Sequence, residues 1–303
     1  MSEEMDVQQS QENMKQWGFS FDARMRFYKF IEAVESNDAT LMEECKRIYG
    51  ILDDIVLKKE REQFITKLES GKKLYRARII NPMDGKKENS GIKITENNEF
   101  IGYNEINSRE PMLGISKSGR NNVAGSSYMY VASNEQTACM EIKSQYGDLI
   151  SLATFEVKKE LEIIDFASEK QFSIGDNEIY EMSLGVFFTQ LMLRFCEPVK
   201  NENAYKATQL IADYLRKTGV DAISYKSHLC PDGVNYTIFN SHPDNIKYVG
   251  SKGLIHKQAN HSFWDFNEKC AILSNEEEKM MTYDEEIAKK HMKNIKVHFS
   301  RID

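Results

Sequence analysis

The chain has 303 residues, of which 41% are hydrophobic, 29% charged and 11% aromatic, and its formal net charge is −7. This composition is typical of a globular protein and excludes disordered and collagen-like chains. A chain of this length buries enough surface to fold without disulfides or a structural metal. An acidic chain without a basic segment lacks the charge that nonspecific nucleic-acid binding requires, so we expect no nucleic-acid partner.

The sequence also bears on the compartment. It has no apolar run long enough to span a bilayer, and it begins with acidic and polar residues rather than a signal peptide. Its five cysteines are widely spaced and include no CxxC pair, which favours reduced, buried thiols over a disulfide framework or a zinc site. We therefore expect a cytoplasmic protein with no membrane association.

Residues 1–70 are predicted to form an N-terminal helical region after a short polar tail. The clearest amphipathic stripe in it has apolar residues three and four apart: Leu41, Cys45, Ile48, Leu52 and Ile55. A pattern over residues 64–68 predicts a further helix that ends at Gly71. We interpret the region as a packing layer for the rest of the chain. The alternative is a surface for docking a partner or for homo-oligomerisation.

From Lys73 onward, short alternating patterns predict strands mixed with helices. The predicted strands cover residues 74–80, 128–132, 149–157, 161–166, 220–225 and 236–240. The predicted helices follow Ser133, which forms a capping box with Gln136, and cover residues 182–195 and 205–217. Strands and helices without regular βαβ alternation favour an α+β fold. A charged helix is predicted over residues 275–293.

The common catalytic motifs are missing from the sequence. It contains no GxGxxG, no GxxxxGK[ST], no HExxH and no GxSxG. Its histidines are scattered, and His256 and His261 are five residues apart, the wrong step for two ligands on one helix face. We therefore expect no metal site.

Residues 118–142 combine groups that suit a nucleotide. A glycine-rich loop carries Arg120, a strand carries Tyr130, and a helix carries Glu141, while an earlier strand carries Arg76 and Arg78. Guanidinium groups bind phosphates in a bidentate manner, an aromatic ring can stack on a base, and a carboxylate can stabilise an oxocarbenium-like ribose. If these segments converge, they fit a pyrophosphate-linked nucleotide such as NAD. Taken singly, each residue is more typical of an ordinary surface or core position than of a site.

Residues 74–240 resemble the RES domain family in five motifs that follow the family order. The motifs are Tyr75-Arg76, the loop Gly119-Arg120-Asn121-Asn122-Val123-Ala124-Gly125, Tyr130-Val131-Ala132, Thr137-Ala138-Cys139-Met140-Glu141, and Ser227 with Gly233-Val234-Asn235. Known members of this family are toxins of bacterial toxin–antitoxin systems that degrade NAD. Their fold is similar to that of ADP-ribosyltransferases.

The resemblance implies a fold, a domain organisation and a set of site residues. The fold would be an α+β, ADP-ribosyltransferase-like mixed β core with flanking helices. The RES-type domain would cover residues 71–250, between the helical region 1–70 and a packed C-terminal extension at residues 251–303. The implied catalytic residues are Arg76, Tyr130, Glu141 and Ser227, and the implied NAD-binding residues are Arg76, Arg120, Asn122 and Tyr130. Ser224 is the alternative to Ser227.

The activity that the resemblance implies is cleavage of the nicotinamide–ribose bond of NAD, by a glycohydrolase if water is the acceptor or by a phosphorylase if phosphate is. ADP-ribosyl transfer to a macromolecule and an inactive NAD-binding module are the alternatives. NAD is then a substrate, and no cofactor is expected. The chain would act as a bacterial toxin or an antiphage defence effector, with an antitoxin or another regulatory protein as its partner.

Overall fold

The structure is a computed structural model, and it describes residues 21–57, 64–80, 92–94, 100–168, 178–198, 202–257, 262–265 and 271–273. The predicted polar tail and the predicted helix over residues 275–293 lie outside these ranges. The chain forms two compact units. The first comprises Met1–Lys67, Leu113–Ser126 and Glu162–His228, and the second comprises Leu68–Met112, Ser127–Leu161 and Leu229–Asp303. Each unit takes segments from the middle of the chain, and the domain boundaries at residues 70 and 250 stay a prediction.

The helices and strands alternate irregularly along the chain. The helices are α1 (21–36), α2 (Leu41–Leu57), α3 (Glu105–Ser108), α4 (Glu135–Glu141), α5 (Glu178–Cys196) and α6 (Lys206–Lys217), with a 3-10 helix at Glu202–Tyr205. The strands are β1 (Ile65–Leu68), β2 (Lys73–Ile79), β3 (Ile92–Ile94), β4 (Phe100–Tyr103), β5 (Met129–Ala132), β6 (Leu149–Val157), β7 (Leu161–Phe166), β8 (Ala222–Lys226), β9 (Val234–Ile238), β10 (Ile246–Lys257), β11 (Ser262–Asp265) and β12 (Ala271–Leu273). This mixture confirms the α+β class.

In the first unit, the N-terminal helices pack against later parts of the chain. The predicted stripe of α2 is confirmed, and four of its five residues are buried. The ring of Tyr49 on α2 stacks on that of Tyr214 on α6 with 4.0 Å between centroids, and the Tyr214 hydroxyl donates to Asp53 at 2.6 Å. Helix α1 is joined to α5 by an ion pair between Glu35 and Arg194 at 2.8 Å. These contacts give the helical region a packing role.

The core of the first unit is aromatic. Phe27 of α1 meets Phe187 of α5 edge-on at 5.8 Å, and Phe166 of β7 stacks on Phe195 of α5 at 4.7 Å. Burial of several such rings in one layer contributes strongly to stability, since each removes a large apolar area from water. Strand β7 runs parallel to β8, with Asp165 opposite Ser224.

One predicted helix is wrong. Residues 65–68 form β1, which lies beside β7 in the sheet. The apolar spacing of this short segment fits either a helix or a strand, and β-branched Ile65 and Thr66 favour the strand once a partner is available.

The second unit contains an antiparallel sheet with the strand order β9-β5-β2-β6-β10-β11-β12. Its register places Tyr75 of β2 opposite Ala132 of β5, and Ala132 opposite Asn235 of β9. Residues directly opposite each other in such a pair point to the same face, and neighbours along a strand point to opposite faces. The register therefore decides which predicted site residues share a face.

The two faces of this sheet are covered by different segments. Helix α4 covers the helix face, where a buried apolar cluster contains Ala77, Ala132, Ala138, Cys139, Ile150, Leu152 and Leu254. Residues 103–110, which include α3, cover the opposite turn face, where the Tyr103 N–H donates to Ser151 Oγ at 2.8 Å. None of the helices that the structure describes is long and apolar enough to span a membrane.

Candidate active site

Helix α4 carries Glu141 and begins where β5 ends. The sequence predicts Ser133 as its N-cap, but the cap is Asn134, whose side chain accepts a hydrogen bond from the Thr137 N–H at 2.8 Å. Ser133 is still paired with β9: its N–H donates to the Val234 carbonyl at 2.8 Å, and its Oγ accepts from the Val234 N–H at 3.1 Å. The helix begins one residue later than predicted because the strand pairing continues through Ser133.

Glu141 is the last residue of α4, and it is exposed. Its Oε1 accepts a hydrogen bond from Nδ2 of Asn235 on β9 at 2.6 Å. Asn235 itself is only 7% exposed. The buried amide therefore fixes one carboxylate oxygen of a residue that is exposed to solvent.

Tyr130 lies on the same face as this pair. It is half-buried on β5, directly opposite Thr237 of β9, two positions along each strand from the Ala132–Asn235 pair. Since alternate residues share a face, Tyr130 and Asn235 both belong to the helix face. The structure thus brings Tyr130, Glu141 and Asn235 to one side of the sheet.

Arg76 is placed on the turn face, away from these residues. Its Nη1 donates to the backbone carbonyls of Ser108 at 2.9 Å and Arg109 at 3.0 Å. Burial lowers the pKa of Arg76 to about 10, with a smaller lowering from the charge of Arg78 and an opposing effect of Glu110. Sequence reasoning grouped Arg76 with Tyr130 and Glu141, whereas the strand alternation separates them.

Arg78 shares the turn face with Arg76. It donates to the Asn107 carbonyl, and its guanidinium lies 5.1 Å from the centre of the Tyr103 ring. Both arginines of β2 thus hold the segment that contains α3.

The Gly-Arg-x-Asn loop lies in the first unit, where it is ordered by its own hydrogen bonds. The buried Asn122 uses its Nδ2 to donate to the carbonyls of Lys117, Val123 and Ser126, each at 3.0 Å. Gly125 has a φ of 89°, which favours glycine, and its N–H donates to the Ser116 carbonyl at 2.9 Å. The structure therefore gives Asn122 a role in shaping the loop, while NAD binding by this side chain stays a prediction.

Arg120 is half-buried in the same unit. Its Nη1 donates to the Glu197 carbonyl at 2.8 Å, and its guanidinium lies 5.5 Å from the Tyr205 ring and 5.9 Å from the Tyr225 ring. These contacts hold the guanidinium against two aromatic rings and one backbone carbonyl.

The two candidate serines have different surroundings. Ser224 is buried on β8, and its hydroxyl donates to Oδ1 of Asp165 at 2.6 Å. The same Oδ1 accepts from the Ala167 N–H at 2.9 Å, so this pair holds the turn that follows β7. Ser227 comes directly after the end of β8 and is 6% exposed. The contact of Ser224 with Asp165 is structural, and the assignment of Ser227 as the site serine stays a prediction.

The predicted site residues divide between the two units: Arg76, Tyr130 and Glu141 lie in the second, and Arg120, Asn122 and Ser227 in the first. Sequence reasoning missed a role for Asn235, although the Gly-x-Asn motif contained the signal. Within the ranges given above, no group of three His, Cys, Asp or Glu side chains is placed to hold a metal ion.

Comparison with known proteins identifies the domain. Residues 106–256 match the RES domain family, a range that includes Arg120, Tyr130, Glu141 and Ser227 but begins after Arg76. Among solved structures, the chain is similar to the MbcT–MbcA toxin–antitoxin complex from M. tuberculosis, with 11% identity and a TM-score of 0.38 over 68% of this chain and 92% of that chain. No curated protein gives a significant match. Residues 106–256 of this chain therefore belong to the RES domain family.

Proposed function

We propose that this protein degrades NAD by cleaving the bond between nicotinamide and ribose. The observation that carries the proposal is the exposed carboxylate of Glu141, which Asn235 holds on the helix face inside the RES domain. Membership of the family supports it, since known RES-domain toxins degrade NAD.

Cleavage of the nicotinamide–ribose bond is favoured by a negative charge near the ribose. Nicotinamide leaves with the electron pair of the glycosidic bond, and positive charge develops on the ribose. A carboxylate fixed near the ribose stabilises that charge without having to reorganise, and this is the role of Glu141. Tyr130, on the same face, supplies a ring to pack against the nicotinamide side. Attack by water yields ADP-ribose and a proton, and attack by inorganic phosphate yields the phosphorylated ADP-ribose.

The resemblance also assigns Arg120 and Asn122 to NAD binding and Ser227 to catalysis. Within the first unit, the Arg120 guanidinium is held against the Tyr205 ring, and Asn122 orders the loop that carries Arg120. Arg76 has two candidate roles, NAD binding and anchoring of the turn face. The resemblance assigns it to the NAD phosphates, whereas its contacts with Ser108 and Arg109 favour anchoring of the turn face.

The test is release of nicotinamide from NAD by the purified protein, with and without inorganic phosphate. We expect Glu141→Gln to lower turnover by about 10²–10³-fold, because the change keeps the shape of the side chain and removes its charge. Glu135→Gln is the matched control: it lies at the other end of α4, where it pairs with Lys252 at 2.8 Å, and should leave turnover near that of the wild type. Mass analysis of the ribosyl product separates hydrolysis, phosphorolysis and transfer. A folded wild-type protein that releases no nicotinamide in either buffer contradicts the proposal.

A further inference from the structure

We propose that Asn235 is a positioning residue for Glu141, and that it fixes the carboxylate in the orientation that NAD cleavage requires. The inference rests on the proposed function and deepens it. Asn235 does not need to touch the substrate. Its effect passes through one hydrogen bond to a residue that does.

The hydrogen bond has the features of a positioning contact. The Asn235 amide donates to Glu141 Oε1 at 2.6 Å, a short distance for an N–H···O bond and one that suits a charged acceptor. Asn235 is buried and lies within β9, so its amide has little freedom to move. Glu141 is exposed at the end of a seven-residue helix, and the hydrogen bond from Asn235 restricts the rotamers of its long side chain.

Helix α4 and the segment that leads into β9 are also in close contact at Gly233. A Cβ atom added at Gly233 would clash with Oγ1 of Thr137 and would lie 2.7 Å from its Cγ2. The backbone at Gly233 therefore approaches α4 more closely than any residue with a side chain allows. Gly233 precedes Asn235 by two residues and Thr137 precedes Glu141 by four, so this contact sets the distance between the two segments that carry the pair.

The pairing of Ser133 with Val234 completes the attachment. The backbone groups of both residues and the Ser133 hydroxyl join the start of α4 to the start of β9. Asn235 thus reaches Glu141 from a segment whose position relative to the helix is already fixed. The Gly-x-Asn motif supplies the close approach with its glycine and the hydrogen-bond donor with its asparagine.

The first arm of the test is steady-state kinetics of nicotinamide release by the full chain. Asn235→Ala should lower kcat by about 10–100-fold with KM changed by less than about twofold, since loss of orientation affects the chemical step more than binding. Asn235→Ser, which keeps a small hydrogen-bonding side chain, covers the case in which the alanine variant does not fold. Asn240→Ala removes an exposed amide from the residue two positions after β9 and is the control. Unchanged kcat in a folded Asn235 variant overturns the inference.

The second arm asks whether Asn235 acts through Glu141. In a Glu141→Gln background, Asn235→Ala should cause little further loss of kcat, because the group it orients has already been changed. An equal loss in both backgrounds overturns the inference, since Asn235 would then act independently.

The third arm is independent of NAD. A double-mutant cycle of Asn235→Ser and Glu141→Ala, measured by urea unfolding, should show coupling between the two sites. If the cycle shows coupling but the protein does not cleave NAD, the contact between Asn235 and Glu141 is supported and the proposed function is contradicted. If the protein cleaves NAD, the cycle is additive and Asn235→Ser has a normal kcat, the positioning role is contradicted. The proposed function then still holds.

Discussion

At the scale of single residues, the two serines near the end of β8 give a direct prediction. Ser224→Ala removes a hydrogen bond to a buried carboxylate and should lower the free energy of unfolding by about 1–3 kcal/mol. Ser227→Ala, in a folded protein, should lower nicotinamide release by about tenfold or more. Urea unfolding and turnover measured on the same two proteins check both statements. The reverse assignment, with activity lost only in a folded Ser224→Ala protein, would make Ser224 the site serine.

Arg76 gives a second prediction at this scale. Its Nη1 satisfies two backbone carbonyls from a partly buried position, so Arg76→Lys should lower the free energy of unfolding by about 1–3 kcal/mol. Arg78→Lys, on the same face but exposed, is the control and should cost less. The dissociation constant for NAD, measured where both proteins are folded, separates anchoring from phosphate binding. Stability equal to the wild type together with weakened NAD binding would restore the phosphate role.

The residues of the candidate site could be predicted from the sequence more readily than their arrangement. Tyr130, Glu141 and Ser227 each stand in a local motif, and a local motif is visible in a single chain. The separation of Arg76 from Tyr130 depends on the pairing of Tyr75 with Ala132, two residues that are far apart in sequence. A shift of that pairing by one residue would reverse the faces, and the sequence does not fix it.

At the scale of elements, the attachment of α4 to β9 gives a third prediction. Gly233→Ala places a methyl group against Thr137 and should destabilise the protein by about 1–3 kcal/mol. Thr137→Ala removes both clashing atoms, so the double variant should recover part of that loss. Thermal or urea unfolding of the two single variants and the double variant measures the coupling. If the effects of the two single variants on stability are additive, the close approach of Gly233 to Thr137 is not the reason that a glycine is required.

Two of the predicted strands are confirmed at their predicted bounds. Residues 149–157 and 161–166 form strands as expected, because long apolar runs with β-branched residues leave little choice. The predicted helix over the short segment 65–68 was wrong, and the N-cap of α4 lies one residue after the predicted one. In both cases a neighbouring strand decided the local structure, and such a partner cannot be identified from a few residues.

At the scale of the whole molecule, the N-terminal helices are not an appendage. Tyr49 stacks on Tyr214, and Phe27 packs on Phe187 in the core of the first unit. Removal of residues 1–57 would expose that core, so a truncated chain is a poor means of asking whether the helices restrain activity. Point variants on the intact chain avoid this difficulty.

The last prediction concerns the cell. Many pathways share NAD, so an unregulated enzyme that destroys it should arrest the growth of a bacterium that expresses it, and cellular NAD should fall before viability does. This outcome would fit a toxin or an antiphage effector that an antitoxin or another regulatory protein restrains. Wild type and Glu141→Gln, expressed at equal levels, differ by one charge, so a contrast between them assigns the arrest to catalysis. Equal arrest by both proteins, or arrest with NAD unchanged, would contradict depletion of NAD as the cause.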